Sequence, residues 1–176
     1  MKMKIMALVP AVLASAVVLI ASPAWAAPGH IGFGFNARGI SGFLTGAASL
    51  TGGGSYVPGT DFAKSAGGFR CTSDVRQGPL NGCLKGQGVR WDTVELLAST
   101  TFKCTGAAAE SLKTAVTDND TVVLLADFYR ASDGNDESFT AQMIVSADDL
   151  APDIAGIQKV WIQGVGCAQA IAHFSS

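Results

Sequence analysis

One stretch, Thr121–Ser146, most constrains what this chain can fold into. It reads TVVLLADFYR, then a short polar segment, then SFTAQMIVS. Both apolar arms are rich in the β-branched and aromatic residues that strands favour. Between them, Gly134 and Asn135 tolerate the backbone conformations that a chain reversal needs. The pattern predicts a β-hairpin at the centre of the domain.

The hairpin register decides which side chains are buried. Pairing Arg130 with Ser138 places Asp127 on a face where its cross-strand neighbours are all apolar. The first arm contributes Val123, Leu125, Asp127 and Tyr129 to this face, opposite Val145, Met143, Ala141 and Phe139. We therefore expect this face to be the core side, with Asp127 as a buried carboxylate on it.

The chain begins with a pattern typical of exported proteins. Two lysines precede an apolar run, and Ala24-Trp25-Ala26 supplies a small-residue cleavage site. Residues 1–26 are predicted to be a cleaved signal peptide and residues 27–176 a single secreted β-domain, with no transmembrane segment after cleavage. The expected location is secreted, periplasmic or on the exterior of the cell envelope, as for many exported bacterial β-proteins.

Charge narrows the range of partners. Loss of Lys2 and Lys4 with the signal leaves 10 of the 12 Lys and Arg residues against 14 Asp and Glu, a net charge of −4. Such a domain lacks the basic surface by which proteins bind nucleic acids, so no nucleic-acid partner is expected. The partner is expected to be a small molecule or another protein.

The four cysteines all follow the predicted cleavage site, and an oxidising compartment favours two disulfides among them. Three connectivities exist, and we favour Cys71–Cys83 with Cys104–Cys167. The first pair closes a short turn-rich loop, and the second ties the last strand back to the domain. No C-x-x-C motif is present, and the cysteine spacings match no zinc module.

The remaining pattern predicts an all-β domain. Residues 27–88 hold 16 of the 21 glycines among recurring apolar residues, which is typical of a strongly bent sheet. Turns are expected at Gly52–Gly54 and Pro58-Gly59, a long strand over Val89–Cys104 and one short helix over Gly106–Thr114. The fold class is a small barrel or two-sheet sandwich of about seven or eight mostly antiparallel strands.

Catalytic motifs are missing from the sequence. It contains no G-x-S-x-G, no H-E-x-x-H and no P-loop, and its two histidines, His30 and His173, lie near the ends of the predicted mature chain. The sequence thus favours a binding or structural role over catalysis. The alternative is a small hydrolase or isomerase with its site in a barrel mouth near Asp127.

Two sets of residues are candidates for binding. A buried Asp127 would need a polar partner or a ligand, and an aromatic ring beside it could pack on that ligand. The ligand-binding candidates are Asp127, Tyr129, Arg90, Trp91 and His173. No cofactor is expected, but the acidic residues that flank the hairpin would suit calcium if they converged. These candidates are Asp118, Asp120, Asp148 and Asp149.

The signal-peptide assignment predicts that the exported protein begins at Ala27. Intact-mass analysis of protein collected from the compartment to which it is exported should give the mass of residues 27–176. A chain that still begins at Met1 would show that the segment is retained.

Overall fold

The computed structural model describes residues 29–130 and 137–176. The predicted signal peptide and the hairpin turn at Gly134 and Asn135 lie outside these residues. The described residues form eleven strands: β1 (Ile31–Gly42), β2 (Ala47–Tyr56), β3 (Ala63–Ser73), β4 (Arg90–Leu97), β5 (Ser99–Phe102), β6 (Lys113–Val116), β7 (Thr121–Arg130), β8 (Glu137–Ser146), β9 (Val160–Ile162), β10 (Gly166–Ala168) and β11 (Ala170–Ser175).

Eight of these strands close into an antiparallel barrel. The order is β1, β2, β3, β4, β7, β8, β9 and β10, and β10 pairs with the far end of β1 to close the ring. β11 continues from β10 and pairs with the near end of β1. Closure leaves no long free sheet edge, which is the usual advantage of a barrel. The all-β prediction is confirmed, and the architecture is a barrel.

Aromatic rings fill the barrel interior, and glycines make room for the largest of them. Trp91 is fully buried, and its indole Nε1 donates a hydrogen bond to the Thr51 carbonyl at 2.9 Å. A Cβ atom on Gly52 would lie 2.6 Å from the Trp91 ring, and one on Gly67 would lie 2.6 Å from its Nε1. Phe35 packs beside this indole, and Phe33, Tyr56, Phe69 and Phe128 are further buried rings of the same core.

The expected turn at Gly52–Gly54 is wrong. These glycines lie inside β2 and pair with β1 and with Ser65–Gly67 of β3. They are needed where the chain approaches Trp91 and the neighbouring backbones closely, not where it reverses. The turn at Pro58-Gly59 is confirmed, with Gly59 at a φ of 77°.

A loop covers one end of the barrel, and the buried Tyr56 lies at the other. At one end the loop over residues 74–89 buries Val75 and Leu80 against the interior, and the Cys71–Cys83 disulfide holds it there. At the other end the Tyr56 hydroxyl donates to the Asp118 carbonyl at 2.7 Å. Burial, together with the nearby carboxylates of Asp118 and Asp120, raises the pKa of Tyr56, which therefore stays protonated and able to donate.

A second apolar cluster lies outside the barrel. The β5–β6 hairpin packs Phe102 and Ala115 against Val123, Ile144 and Trp161 on the outer face of β7, β8 and β9. The Cys104–Cys167 disulfide joins this hairpin to β10, so the disulfide pairing favoured from the sequence is confirmed at both bridges. The long strand predicted over Val89–Cys104 is interrupted at Ala98, because the chain turns there to place β5 on this outer layer.

The predicted hairpin register was wrong by one residue. Arg130 pairs with Glu137, and Asp127 pairs with Thr140. The core face is the alternate one, formed by Val122, Leu124, Ala126 and Phe128 opposite Val145, Met143, Ala141 and Phe139. The arms are apolar on both faces because the β5–β6 hairpin covers Val123 and Ile144 from outside, so apolarity did not distinguish inside from outside.

The predicted helix over Gly106–Thr114 is absent, and a Glu110-centred turn takes its place. The Glu110 carboxylate accepts hydrogen bonds from the backbone N–H groups of Cys104 at 2.6 Å and Thr105 at 2.7 Å. It also pairs with Lys113 at 3.0 Å, and Lys113 pairs with Asp153 at 2.9 Å. These contacts and the β5–β6 ladder outweigh the weak helix tendency of a segment too short to recover its nucleation cost.

The close contacts of the glycines with Trp91 predict that substitutions at two neighbouring glycines differ in how much stability they cost. Gly67→Val should destabilise the protein by about 1–3 kcal/mol, because the added atoms would overlap Gly52 and the indole. Gly68→Ala should change stability by less than about 1 kcal/mol, since its Cβ would meet only the Thr51 hydroxyl at 3.3 Å. Urea unfolding of both variants compares them, and equal losses would contradict this account of the packing.

The Glu110 turn predicts a pH-dependent loss. Burial raises the pKa of Glu110, but the hydrogen bonds from Thr105, Cys104 and Lys113 outweigh it and lower the pKa from 4.5 to about 2. The carboxylate therefore stabilises the fold above about pH 4.5, and this contribution is lost as the pH falls toward about 2.

Glu110→Gln keeps the side-chain size and removes the charge. We expect it to be less stable than the natural protein by about 1–3 kcal/mol at pH 7, with the difference shrinking below about pH 4.5. Urea unfolding at a series of pH values measures this difference. A difference that stays constant down to about pH 2 would contradict the assignment.

Candidate functional site

The barrel interior offers little room for the predicted site. Trp91, one of the expected ligand-binding residues, is fully buried and holds the core together rather than facing a ligand. The buried side chains of the core occupy the interior.

Three of the predicted residues meet on the outer face of β4 and β7. The Arg90 guanidinium lies 4.4 Å from the centre of the Tyr129 ring, and Arg90 pairs with Asp92 at 3.4 Å. Asp92 is directly opposite Asp127 across the two strands. The Thr140 hydroxyl donates to Asp127 at 2.6 Å on the solvent side. The structure thus brings Asp127, Tyr129 and Arg90 together, but Asp127 and Tyr129 lie on the outer face and not on the core face predicted for them.

The burial of Asp127 was the argument for its role, and that argument is wrong. Its carboxylate lies on the outer face and has a hydrogen-bond partner at the surface. His173 is also exposed, on β11 opposite Gly34, on a strand that pairs with β1 rather than with β4 or β7. The five candidates therefore do not form one site, and their role in ligand binding stays a prediction.

The four calcium candidates lie at one end of the hairpin, as the register requires, but they do not converge. Asp118 accepts the backbone N–H of Asp120 at 2.9 Å. Asp149 accepts the N–H groups of Ala151 at 3.1 Å and Gln158 at 2.9 Å. In residues 29–130 and 137–176, no group of three or more His, Cys, Asp or Glu side chains is placed to hold a metal ion. Calcium binding at Asp118, Asp120, Asp148 and Asp149 stays a prediction without support from this geometry.

The barrel wall is incomplete between β3 and β4, a feature the sequence analysis missed. Although β3 has eleven residues and β4 has eight, only three residue pairs join them among the described strands, ending at Ala66 opposite Asp92. The Thr93 hydroxyl then reaches the Ser65 carbonyl at 3.1 Å, where the next backbone pair would be. Below that contact the two strands separate.

An irregularity in β4 explains the separation. The β4–β7 register shifts between Thr93 and Glu95, which is the signature of a bulge, and Val94 is left 53% exposed. Bulges bend a strand and increase its twist, so the end of β4 follows β7 away from β3. The side-chain alternation records this irregularity, because Trp91 and Leu96 both face the barrel core although they are five positions apart, a spacing that a regular strand would place on opposite faces.

The separation creates an open groove of about 600 Å³, which we call the seam groove. One wall is the β2–β3 loop and the other is formed by the ends of β4 and β6. The lining residues are Gly59, Thr60, Asp61, Glu95, Leu96, Leu97, Ala98, Val116 and Thr117. A smaller depression of about 400 Å³ lies along the same strand boundary, lined by residues that include Lys64, Ser65, Asp92 and Thr93.

A third depression, of about 480 Å³, lies where β10 ends and β11 begins. Its lining includes Arg38, Gln169 and the exposed Ile171, together with Asn36, whose side-chain Oδ1 is buried without a hydrogen-bond partner. Here β1 is paired on both sides, with β2 and with β11. The seam groove is larger than this depression and lies where the pairing between β3 and β4 has ended.

Comparison with known proteins adds no assignment: no protein-family description, curated protein or solved structure matches this chain. Within residues 29–130 and 137–176, no helix has the length and apolarity that crossing a membrane would require. A function for this chain is therefore proposed from the geometry of the barrel itself.

The outward position of Asp127 predicts a contrast with its neighbour. Asp127→Ala should change the free energy of unfolding by less than about 1 kcal/mol, since only a surface hydrogen bond is lost. Ala126→Asp should destabilise by several kcal/mol, because Ala126 is fully buried and the new carboxylate would have no partner. Chemical denaturation of the two variants measures both changes. A large loss of stability in Asp127→Ala would contradict the outward position and support the register predicted from the sequence.

Proposed function

We propose that this protein is an exported, disulfide-stabilised binding domain that engages its partner on the outer surface of the barrel, at the seam groove. The observation that carries the proposal is the contrast between a filled, covered interior and a wall that opens between β3 and β4. A barrel that carried a small ligand inside would need a cavity at the positions that the aromatic rings occupy.

Export is supported by the disulfides and by the N-terminal sequence. Each bridge fixes a structure that the barrel alone does not hold: the loop over one end, and the β5–β6 hairpin on the outer face. Such bridges persist in oxidising compartments, which is compatible with a secreted or periplasmic location. Closing the longer of the two chain loops contributes roughly 4 kcal/mol in the chain-entropy model.

A catalytic role is the second candidate, and the paired carboxylates of Asp92 and Asp127 are the observation that favours it. Two carboxylates side by side can divide acid and base roles when their surroundings differ. These two lie on an outer sheet face open to water, which gives no enclosure for a substrate. If the protein hydrolyses or isomerises a substrate, Asp127→Asn should abolish the turnover while leaving the fold intact.

Amide hydrogen exchange of the exported protein tests the binding proposal. The protein is incubated separately with the low- and high-molecular-mass fractions of the medium that surrounds the producing cells. We expect the macromolecular fraction to slow exchange on the outer strands, with β3 and β4 most affected. A small molecule retained in native mass spectra that protects the barrel interior would contradict the proposal.

A further inference from the structure

We propose that the seam groove binds an extended polypeptide segment that carries apolar and basic side chains and adds as a strand between β3 and β4. This inference rests on the proposed function and deepens it by naming the chemistry of the partner. Three properties of the groove support it: unpaired backbone groups, an apolar floor and an acidic rim.

Backbone groups on both walls are available for pairing. The Leu97 carbonyl accepts the Thr117 hydroxyl at 2.6 Å beside Val123, so Leu97 directs its carbonyl toward β7. Since backbone directions alternate along a strand, the N–H and C=O of Leu96 point the other way, into the groove. On the other side of the gap the Ser65 carbonyl points toward β4 in the smaller depression, so Ala63, which lines the same depression, also directs its polar groups toward β4.

These groups have no ladder partner on the facing strand, because the described β3–β4 pairing ends at Ala66 and Asp92. An unpaired strand edge is a template for another strand, since its N–H and C=O groups can bond to an incoming backbone. A barrel otherwise removes such edges by closing, so the gap is the place where a partner's main chain can be received.

The floor and rim of the groove specify which side chains such a strand would carry. Leu96, Ala98 and Val116 supply apolar surface, and Val116 is 54% exposed. Asp61 and Glu95 supply the charges of the lining, both exposed and both negative, and neither forms an ion pair with another described residue. The complementary segment alternates apolar residues, which face the floor, with lysine or arginine, which faces the rim.

Defined peptides test the proposal on the exported protein. The probe is a fluorescently labelled peptide of about ten residues that alternates Val and Lys, long enough to span the groove as a strand. One matched peptide replaces Lys with Glu, and another replaces alternate Val residues with Pro, which removes the backbone donors. Fluorescence anisotropy measures binding, and hydrogen exchange locates it.

We expect the Val–Lys peptide to bind saturably and to slow exchange at Ala63 and Leu96. The Glu and Pro peptides should bind at least about tenfold more weakly. The double variant Asp61→Asn/Glu95→Gln should weaken binding of the Val–Lys peptide about tenfold at low salt and less at high salt. Glu137→Gln/Asp153→Asn removes the same charge from exposed sites outside the groove and should leave binding unchanged.

Several outcomes would overturn the inference. Equal binding of the Glu and Lys peptides, equal effects of the two double variants, or no peptide binding at all would each do so. So would a fatty acid that competes for the groove and binds without protecting the Leu96 amide, which would make it a lipid site. Peptide protection confined to another outer face would reject the seam groove as the binding site but would keep a binding role for the outer surface. A ligand inside the barrel would reject both.

Discussion

The packing of the Trp91 indole inside the barrel is the interaction on which the rest of the structure depends. An eight-stranded ring encloses a space that side chains must fill, and Trp91 is the largest side chain that fills it. Its position requires Gly52 and Gly67 on the two strands beneath it, because a Cβ atom at either would overlap the ring. The glycine-rich first half of the chain is therefore part of the core and not a flexible linker.

A filled interior changes where function can reside. Because side chains fill the barrel interior, we propose that recognition occurs on the outer surface, where the strands present polar and small side chains. There the bulge in β4 separates it from β3 and exposes apolar residues together with unpaired backbone groups. The same bulge shortens the β3–β4 pairing and so weakens the closure of the barrel there. The β5–β6 layer and the Cys104–Cys167 disulfide offset this loss by stabilising the neighbouring strands.

The candidate site was harder to predict than the fold for a specific physical reason. Asp127, Tyr129 and Arg90 lie together because β4 and β7 are neighbouring strands, with Arg90 opposite Tyr129 and Asp92 opposite Asp127. The burial predicted for Asp127 and Tyr129 was wrong because a shift of one residue exchanges the two faces of a strand. The seam groove left only a weak trace in the sequence, the odd spacing of the core residues Trp91 and Leu96 in one strand, since a bulge is decided by the strands on both sides.

The sequence by itself determined the all-β class and the hairpin over Thr121–Ser146, because strand propensity and turn residues are local properties. It favoured the observed disulfide pairing among three possible connectivities. Tertiary structure alone decided the rest. It selected a barrel, turned Asp127 outward, replaced the Gly106–Thr114 helix by a turn around Glu110, and opened the wall at β3 and β4. Each depends on contacts between segments distant in the chain, such as the β5–β6 hairpin covering Val123 and Ile144, which no local pattern records.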